Sequence, residues 1–280
     1  MTMCYKIHKL FFIGIKFTMD TTLFDRFSPV IRALSASELD GAPSLNAKLR
    51  LAQDGNIEVC YVPFEYTNPQ AKVVIVGITP GLTQMLNALK EARRQLDQGA
   101  DAKSALIAAK MTGAFSGAMR PNLVGLLDCV GINQWLGIKS CDEFFGASSH
   151  LVQTTSVLRN AVFVDGKNYN GTPDMTRHPV LRQQLLAHFG EDCKIRSKAV
   201  FIPLGDKVEK ALRFIAEQGL LDRNQIIGGL PHPSGANAER IAYFLGRKSR
   251  SALSVKTNAD KLDQAREMMK QQVQALPKNM

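Results

Sequence analysis

Two apolar stretches decide the fold of this chain: Lys72-Val-Val-Ile-Val-Gly77 and Lys198-Ala-Val-Phe-Ile-Pro-Leu204. Each is a short apolar run without polar alternation, which is typical of a strand buried on both faces of a parallel sheet. An amphipathic segment follows each run, the first over residues 82–98 and the second from about Asp206. Buried strands that alternate with helices predict an α/β fold, with a single doubly wound, mostly parallel central sheet flanked by helices.

The remaining elements are predicted from periodicity and from helix-ending residues. Leu82, Leu89 and Leu96 share one helical face that ends at Gly99, and Asp101 is placed to cap a second helix running to about Met111. Pro29 is expected to kink or break the first helical run. The other predicted elements are helices over 20–55, 122–130, 181–189, 237–246 and 259–276, and strands over 57–66, 151–164 and 225–227.

The length of 280 residues fits one large domain with extensions. We expect that domain over residues 20–280, with a helical insertion at about 82–112 and a C-terminal helix at 259–276. Residues 1–19 are expected to be an N-terminal extension outside the core. Their apolar run, Leu10–Ile15, is too short to span a bilayer, and no small-residue cleavage site follows it. No membrane segment is therefore predicted.

The charge balance points to a polyanionic partner. The chain has 35 Lys and Arg against 25 Asp and Glu, a formal net charge of +10, and such an excess is typical of proteins that bind nucleic acid. An indifferent basic surface would have the same composition. The 5 cysteines form no C-x-x-C pair, so we expect no metal site and no disulfide framework, which suits a cytoplasmic location.

Two loops carry the residues with chemical potential. Gly77–Gly81 follows the first buried strand; its glycines permit close backbone approach to a ligand, and the next helix can present N–H groups to an anion. Pro231–Asn237 follows the last predicted strand and includes His232 and Ser234. Ligands of α/β sheets bind beyond the carboxyl ends of the strands, where both loops are expected. Taken alone, each loop is equally consistent with an ordinary turn.

The two loops together resemble the paired motifs of the uracil-DNA glycosylase superfamily: Gly77-Ile-Thr-Pro-Gly81 and His232-Pro-Ser-Gly-Ala-Asn237. Segments Ala114–Asp128, Thr154–Asn160 and Val200–Gly205 are similar to intervening family segments, and the order is kept over about residues 70–245. The resemblance implies a monofunctional DNA glycosylase that excises a flipped-out pyrimidine and leaves an abasic site. It also implies DNA as partner, no cofactor and a monomeric protein.

The resemblance assigns roles to individual residues. His232 would stabilise negative charge on the departing base, and Thr79 takes the position of the family's water-positioning residue. The other base-binding candidates are Gly77, Ile78, Pro80, Gly81, Phe115 as the stacking ring, and Ser156, Asn160 and Asn168 as readers. The DNA-binding candidates are Ser234, Gly235, Ala236, Asn237, Arg159, Arg247, Lys248 and Arg250. Phe115 is equally explained as a core residue, and the basic cluster as a solvated helix end.

Departures from the family pattern leave two alternatives open. Thr79 replaces an acidic or amide side chain, and a hydroxyl cannot act as a general base at neutral pH. This favours either a catalytically weak or inactive nucleic-acid-binding member of the fold, or an enzyme for another base than uracil. The long segment 82–112 suggests room for a bulky modified cytosine, such as glucosylated hydroxymethylcytosine of phage DNA. That substrate would indicate antiviral defence, and uracil would indicate base excision repair.

Overall fold

The computed structural model describes residues 20–42, 44–116, 119–190, 192–193 and 198–277. The main helices are α1 (Thr22–Ala33), α2 (Ala36–Leu39), α3 (Ser44–Leu49), α4 (Leu82–Asp97), α5 (Ala102–Gly113), α6 (Met119–Cys129), α7 (Ile132–Leu136), α8 (Pro179–Gln184), α9 (Asp206–Glu217), α10 (Ala238–Phe244) and α11 (Ala259–Gln274). The strands are β1 (Arg50–Asp54), β2 (Ile57–Cys60), β3 (Val73–Gly77), β4 (Val152–Ser156), β5 (Ala161–Val164), β6 (Lys167–Asn168) and β7 (Val200–Pro203).

The strands form two sheets. The first is parallel, in the order β4-β3-β7, and an isolated parallel bridge from Phe201 to Ile226 extends it beyond β7. The second is antiparallel, in the order β1-β2-β5-β6. The chain passes from the first sheet to the second through residues 157–160, between β4 and β5.

The core consists of three apolar clusters arranged around these sheets. Alternate residues of β3 enter different clusters: Val74 and Val76 join one, and Val73 and Ile75 another. The parallel sheet is therefore covered on both faces, as its continuous apolar sequence predicts. Val59 and Val162 of the antiparallel sheet join the same cluster as Val74, so this cluster lies between the two sheets.

Helices α4 and α5 form a layer of the core. Met85, Ala88 and Leu89 of α4 and Leu106 of α5 are fully buried, in the same cluster as Phe24 of α1. Asp101 accepts a hydrogen bond from Ser104 N, which confirms it as the cap of α5. The segment expected to enlarge a substrate pocket therefore packs instead against α1 and the antiparallel sheet.

Several sequence predictions are corrected. The expected single sheet is wrong, because β1, β2, β5 and β6 form a separate antiparallel sheet. The helix predicted over 20–55 ends earlier: residues 50–54 are strand β1, which pairs with β2 across a turn at Gly55. Pro29 lies inside α1 without ending it. The strand predicted over 225–227 is reduced to the bridge at Ile226.

Two expectations concern the ends of the chain and its relation to membranes. The extension predicted over residues 1–19 lies outside the described residues. Within the residues that are described, no helix is both long enough and apolar enough to cross a membrane.

Candidate functional site

The loop Gly77–Gly81 is held along its length by the chain that links β4 to β5. Val157 N donates to Gly77 O at 3.0 Å, and Leu158 N donates to Ile78 O at 3.1 Å. These bonds continue the pairing of β3 with β4 past the end of the sheet. The first loop is therefore a fixed part of the structure at the carboxyl end of the parallel strands, where ligands of such sheets bind.

The Thr79 hydroxyl completes this attachment. Its Oγ1 donates to Asn160 O at 2.8 Å and accepts from Val162 N at 3.1 Å, and the residue is 9% exposed. A hydroxyl has one proton to donate, and here that proton is used by a backbone carbonyl. The position expected to orient a water molecule therefore joins the first loop to β5, and it has no proton left to donate.

Phe115, Gly77 and Ser156 converge on one point beside this loop. A Cβ added at Gly77 would lie 3.4 Å from Ser156 Oγ and 3.7 Å from Cζ of Phe115. Phe115 is 6% exposed and has a φ of +50°, a left-handed conformation that bulky residues rarely adopt. Such strain persists only where the surroundings impose it, and it is concentrated at functional sites. The ring also belongs to the apolar cluster around α6, so its core role and its place beside the loop coexist.

The two asparagines proposed as readers differ in what their amides do. Asn168 Oδ1 accepts a hydrogen bond from Leu82 N at 2.9 Å, at the start of α4. The Asn168 side chain thus partly caps the N-terminus of α4, which was expected to offer its N–H groups to a phosphate. Asn160 is 3% exposed; its Oδ1 accepts from Val62 N at 3.4 Å, and its Nδ2 has no partner in the part of the chain that the structure describes. An unpaired buried donor is costly in a native structure, which makes Asn160 the better candidate to meet a ligand.

His232 lies half-buried in the second loop with a defined orientation. Its Nδ1 accepts a hydrogen bond from Ser234 N at 3.2 Å, and burial lowers the pKa of the imidazole below its ordinary value. A neutral imidazole that accepts at Nδ1 must have its proton on Nε2. No residue of the described chain hydrogen-bonds that Nε2. The second loop therefore presents a neutral N–H donor with nothing bound to it.

Contacts with α6 and with the end of β7 fix the second loop. Asn122 Nδ2 donates to Pro233 O at 2.9 Å, and Gly205 N donates to Leu230 O at 3.1 Å. Gly205 has a φ of +89°, and a Cβ there would lie 3.5 Å from Cβ of His232. Sequence analysis missed both Asn122 and Gly205. Gly205 could have been predicted, because a glycine at the end of a buried strand indicates a close backbone approach. Nothing in the sequence distinguishes Asn122 from other polar residues on the surface of a helix.

The strand order sets the spacing between the two loops. The first loop follows β3, and the second follows the bridge at Ile226, on the far side of β7. Neighbouring strands lie about 4.8 Å apart, so the two positions are separated by about 10 Å at the sheet edge. A flat heterocycle fits between walls at that separation. Gly77 and Phe115 would lie on one side of it and His232 on the other.

Comparison with curated proteins identifies a relative. The chain is 35% identical over 237 residues to the uncharacterized protein YoxB of Bacillus subtilis, a match that spans 84% of this chain and 93% of YoxB. The chain belongs to the YoxB family. No family model matches the sequence, and no solved structure matches it.

The basic candidates of this YoxB-family chain differ in their freedom to meet phosphates. Arg159 Nη2 lies 2.9 Å from Asp192 Oδ1, with both side chains largely buried. Lys248 Nζ lies 2.7 Å from Glu239 Oε1, and Arg250 pairs with Asp260. Arg247 is exposed and forms no ion pair within the described chain. Exposed pairs are weak and exchange readily, so the buried Arg159 is the least available of the four.

The turn after His232 has its small residues exposed. Gly235 and Ala236 face solvent in a 3-10 turn over Gly235–Asn237. Ser234 Oγ accepts from Asn237 Nδ2 at 3.4 Å, and Asn237 Oδ1 accepts from Arg240 at 3.2 Å. The polar side chains of the turn are therefore hydrogen-bonded within the turn and to the next helix. What the turn offers to a partner is a backbone with little side-chain bulk.

Proposed function

We propose that this protein is a monofunctional DNA glycosylase that excises a flipped-out pyrimidine. The observation that carries the proposal is His232, a half-buried neutral imidazole whose Nε2–H is unpaired in the described chain. It lies across the parallel sheet edge from Gly77 and Phe115. This combination of a donor, a π-surface and a close-approach backbone suits a flat base taken out of the DNA stack.

In the proposed mechanism, the N–H of His232 donates to the atom of the base on which negative charge develops. As the bond from the sugar C1′ to the base N1 breaks, its electron pair goes to the base and negative charge collects on O2. A hydrogen bond from His232 Nε2 to that oxygen would stabilise the departing anion. Water then adds to C1′ and loses a proton to solvent, and the departed base anion takes up a proton from solvent, which leaves an abasic site and a neutral free base. Because the Thr79 hydroxyl proton is already used by Asn160 O, the proposed mechanism relies on stabilising the leaving group.

Asn160 is the proposed reader of the base. Its buried Nδ2 is free to donate, so it favours a base with an acceptor at the edge it meets, such as O4 of uracil or N3 of a cytosine. The two substrates under consideration remain uracil and a bulky modified cytosine such as glucosylated hydroxymethylcytosine. The packing of α4 and α5 into the core gives the bulky substrate no additional support.

The test is release of a free base. Synthetic duplexes and single strands bearing uracil or modified cytosines, together with phage DNA, are incubated with the protein, and released bases are identified by mass spectrometry. Alkaline cleavage of the strand reports the abasic product independently. We expect His232→Ala to lower the excision rate by roughly 10²–10³ while DNA binding is retained, as when one oxyanion donor is lost. His150→Ala, at an exposed histidine outside the two loops, is the matched control.

A second candidate function is a non-catalytic nucleic-acid-binding protein of the same fold. The observation that favours it is the engagement of the Thr79 hydroxyl by the backbone. Salt-dependent DNA binding without a released base from any DNA of the panel would support this function and refute the glycosylase. Free base whose yield is unchanged in His232→Ala would instead remove His232 from the site.

A further inference from the structure

A groove with two arginines opens beside Ser116, the residue after Phe115. We name it the arginine groove; its cavity of about 600 Å³ is bordered by residues from α5, α6 and two later segments. The residues that matter for its chemistry are Thr112, Ser116, Arg120, Gly125, Asp142 and Arg247. Ser116 directly follows Phe115, and Asn122 of the same helix as Arg120 binds Pro233 O of the second loop. The groove therefore adjoins the candidate site.

An aromatic ring and a backbone carbonyl hold Arg120 in place. Its guanidinium lies 4.1 Å from the centre of the Phe145 ring, and its Nη2 is 3.5 Å from Ala114 O. Its Nε is buried and has no hydrogen-bond partner among the described residues. Stacking on an aromatic ring orients a guanidinium while its in-plane donors remain available. Arg120 is thus preorganised to bind an anion.

Arg247 supplies the second cation. Its Nη2 approaches Gly125 of α6, where an added Cβ would lie 3.8 Å away, and it forms no ion pair within the described chain. The absence of a side chain at Gly125 lets the guanidinium lie over the helix. Two arginines from separate segments therefore border one cavity.

The charge of the groove selects the ligand. Asp142 also borders it, without forming an ion pair to either arginine among the described residues. Two guanidinium groups and one carboxylate leave a net charge of +1, which matches the single negative charge of one phosphodiester. The several negative charges of a free nucleotide would exceed the net charge of the groove.

We propose that Arg120 and Arg247 together clamp one backbone phosphodiester of DNA, next to the nucleotide held between the two loops. This inference rests on the proposed function, because it assumes a DNA partner. It adds a contact outside both loops, on the face formed by α5 and α6. A phosphate contact of this kind fixes the register of the protein on DNA without reading sequence.

The test is fluorescence anisotropy with a labelled DNA duplex over a range of NaCl concentrations. Each neutralised phosphate contributes about 0.9 to the slope of log affinity against log salt. We expect Arg120→Gln/Arg247→Gln to flatten the slope by about that amount and to weaken binding roughly tenfold, the size of a charge-assisted contact. Asp142→Asn should tighten binding. Arg120→Lys, which keeps the charge, should retain most of the slope.

The matched control is Arg223→Gln. Arg223 is exposed and precedes the bridge at Ile226, which places it at the opposite end of the parallel strands. Its loss should leave the slope unchanged. Melting temperatures check that the variants fold, since Arg120 also packs on Phe145.

The outcomes separate this inference from the proposed function. If the double variant still excises base and its slope of log affinity against log salt is unchanged, the groove contact alone is overturned. If the slope falls by the amount expected for two phosphates, the arginines bind separate phosphates and the shared clamp is overturned. A flattened slope without excision by the wild type supports the groove and refutes the glycosylase. No DNA binding by the wild type overturns both proposals.

Discussion

The buried carboxyl of Glu65 should make the protein less stable as the pH rises from 4.5 to about 7. Glu65 is 7% exposed, its Oε1 accepts from Tyr61 OH at 2.7 Å, and its Oε2 has no hydrogen-bond partner within the described ranges. Burial raises the pKa of Glu65 from 4.5 to about 7, against the smaller opposing effects of the Tyr61 hydrogen bond and nearby cations. The folded protein therefore retains this proton at pH values where the unfolded chain has lost it.

The sign and the size of the effect follow from linkage. Below pH 4.5 both states are protonated, and the contribution of the neutral carboxyl is fully present. Between 4.5 and about 7 only the unfolded state ionises, so the free energy of unfolding falls as pH rises. One pH unit between the two pKa values is worth about 1.4 kcal/mol, which gives a total loss of about 3 kcal/mol. Above this window the loss is complete.

Glu65→Gln isolates this contribution, because glutamine has nearly the same shape and cannot ionise. Urea unfolding at pH 5, 6, 7 and 8 gives the free energy of unfolding of both proteins, and their difference cancels every other titrating group. We expect the variant to gain about 2–3 kcal/mol on the wild type between pH 5 and pH 8. A difference that stays constant across this range would show that the Glu65 carboxyl ionises normally, and the reasoning from its burial would be refuted.

Three further predictions concern other groups. Thr79→Val should lower the free energy of unfolding by about 1–3 kcal/mol, because it leaves Val162 N and Asn160 O without their partner. Thr79→Ser keeps the hydroxyl and should lower the free energy of unfolding less. Equal stability of the two variants would contradict the role assigned to that hydroxyl. Phe115→Ala should weaken capture of the flipped base by about 1–3 kcal/mol in DNA-binding titrations, whereas a lowered melting temperature with unchanged capture would make Phe115 a core residue only. Lys210 and Thr176 lower the pKa of Asp174 to about 2, so wild-type stability from this group should be lost as pH falls from about 4 through 2, and a parallel loss in Asp174→Asn would show that another acid is responsible.

Local signals in the sequence predicted the helices well and the pairing of strands poorly. Helix α4 has an apolar face, an end at Gly99 and no competing partner, so its predicted bounds of 82–98 differ from Leu82–Asp97 by one residue. Residues 50–54 were included in the helix predicted over 20–55 from its apolar spacing, and in the structure the burial along β1 does not alternate as in a half-buried strand. They form a strand only because β2 is adjacent, and β2 in turn pairs with β5 about a hundred residues later. The pairing of β1 with β2 is local, across the turn at Gly55, whereas the pairing of β2 with β5 is non-local and has no signature in either segment.

The same distinction applies to the candidate site. The loops at Gly77 and His232 were found from sequence because each directly follows a buried strand, and the parallel sheet brings such ends together. The hydrogen bonds of Thr79, the unpaired amide of Asn160 and the cap formed by Asn168 depend on contacts across more than eighty residues. The residue types were visible in the sequence, but the hydrogen-bond partner of each polar group was not.

These hydrogen bonds decide which kind of catalysis the site can support. A general base in the first loop would need a free carboxylate, and Thr79 offers only a hydroxyl, whose proton is already donated to Asn160 O. A charged imidazole at His232 is disfavoured, because burial lowers its pKa and Ser234 N donates to Nδ1, which must be unprotonated to accept. What remains is a neutral N–H donor, whose hydrogen bond strengthens as charge grows on the departing base. Excision should therefore stay nearly constant from pH 7.5 to 8.5, a range in which an imidazole whose pKa lies below 6.5 stays neutral. An acid limb of the rate within that range, abolished in His232→Gln, would show that the imidazole titrates there and would refute this assignment.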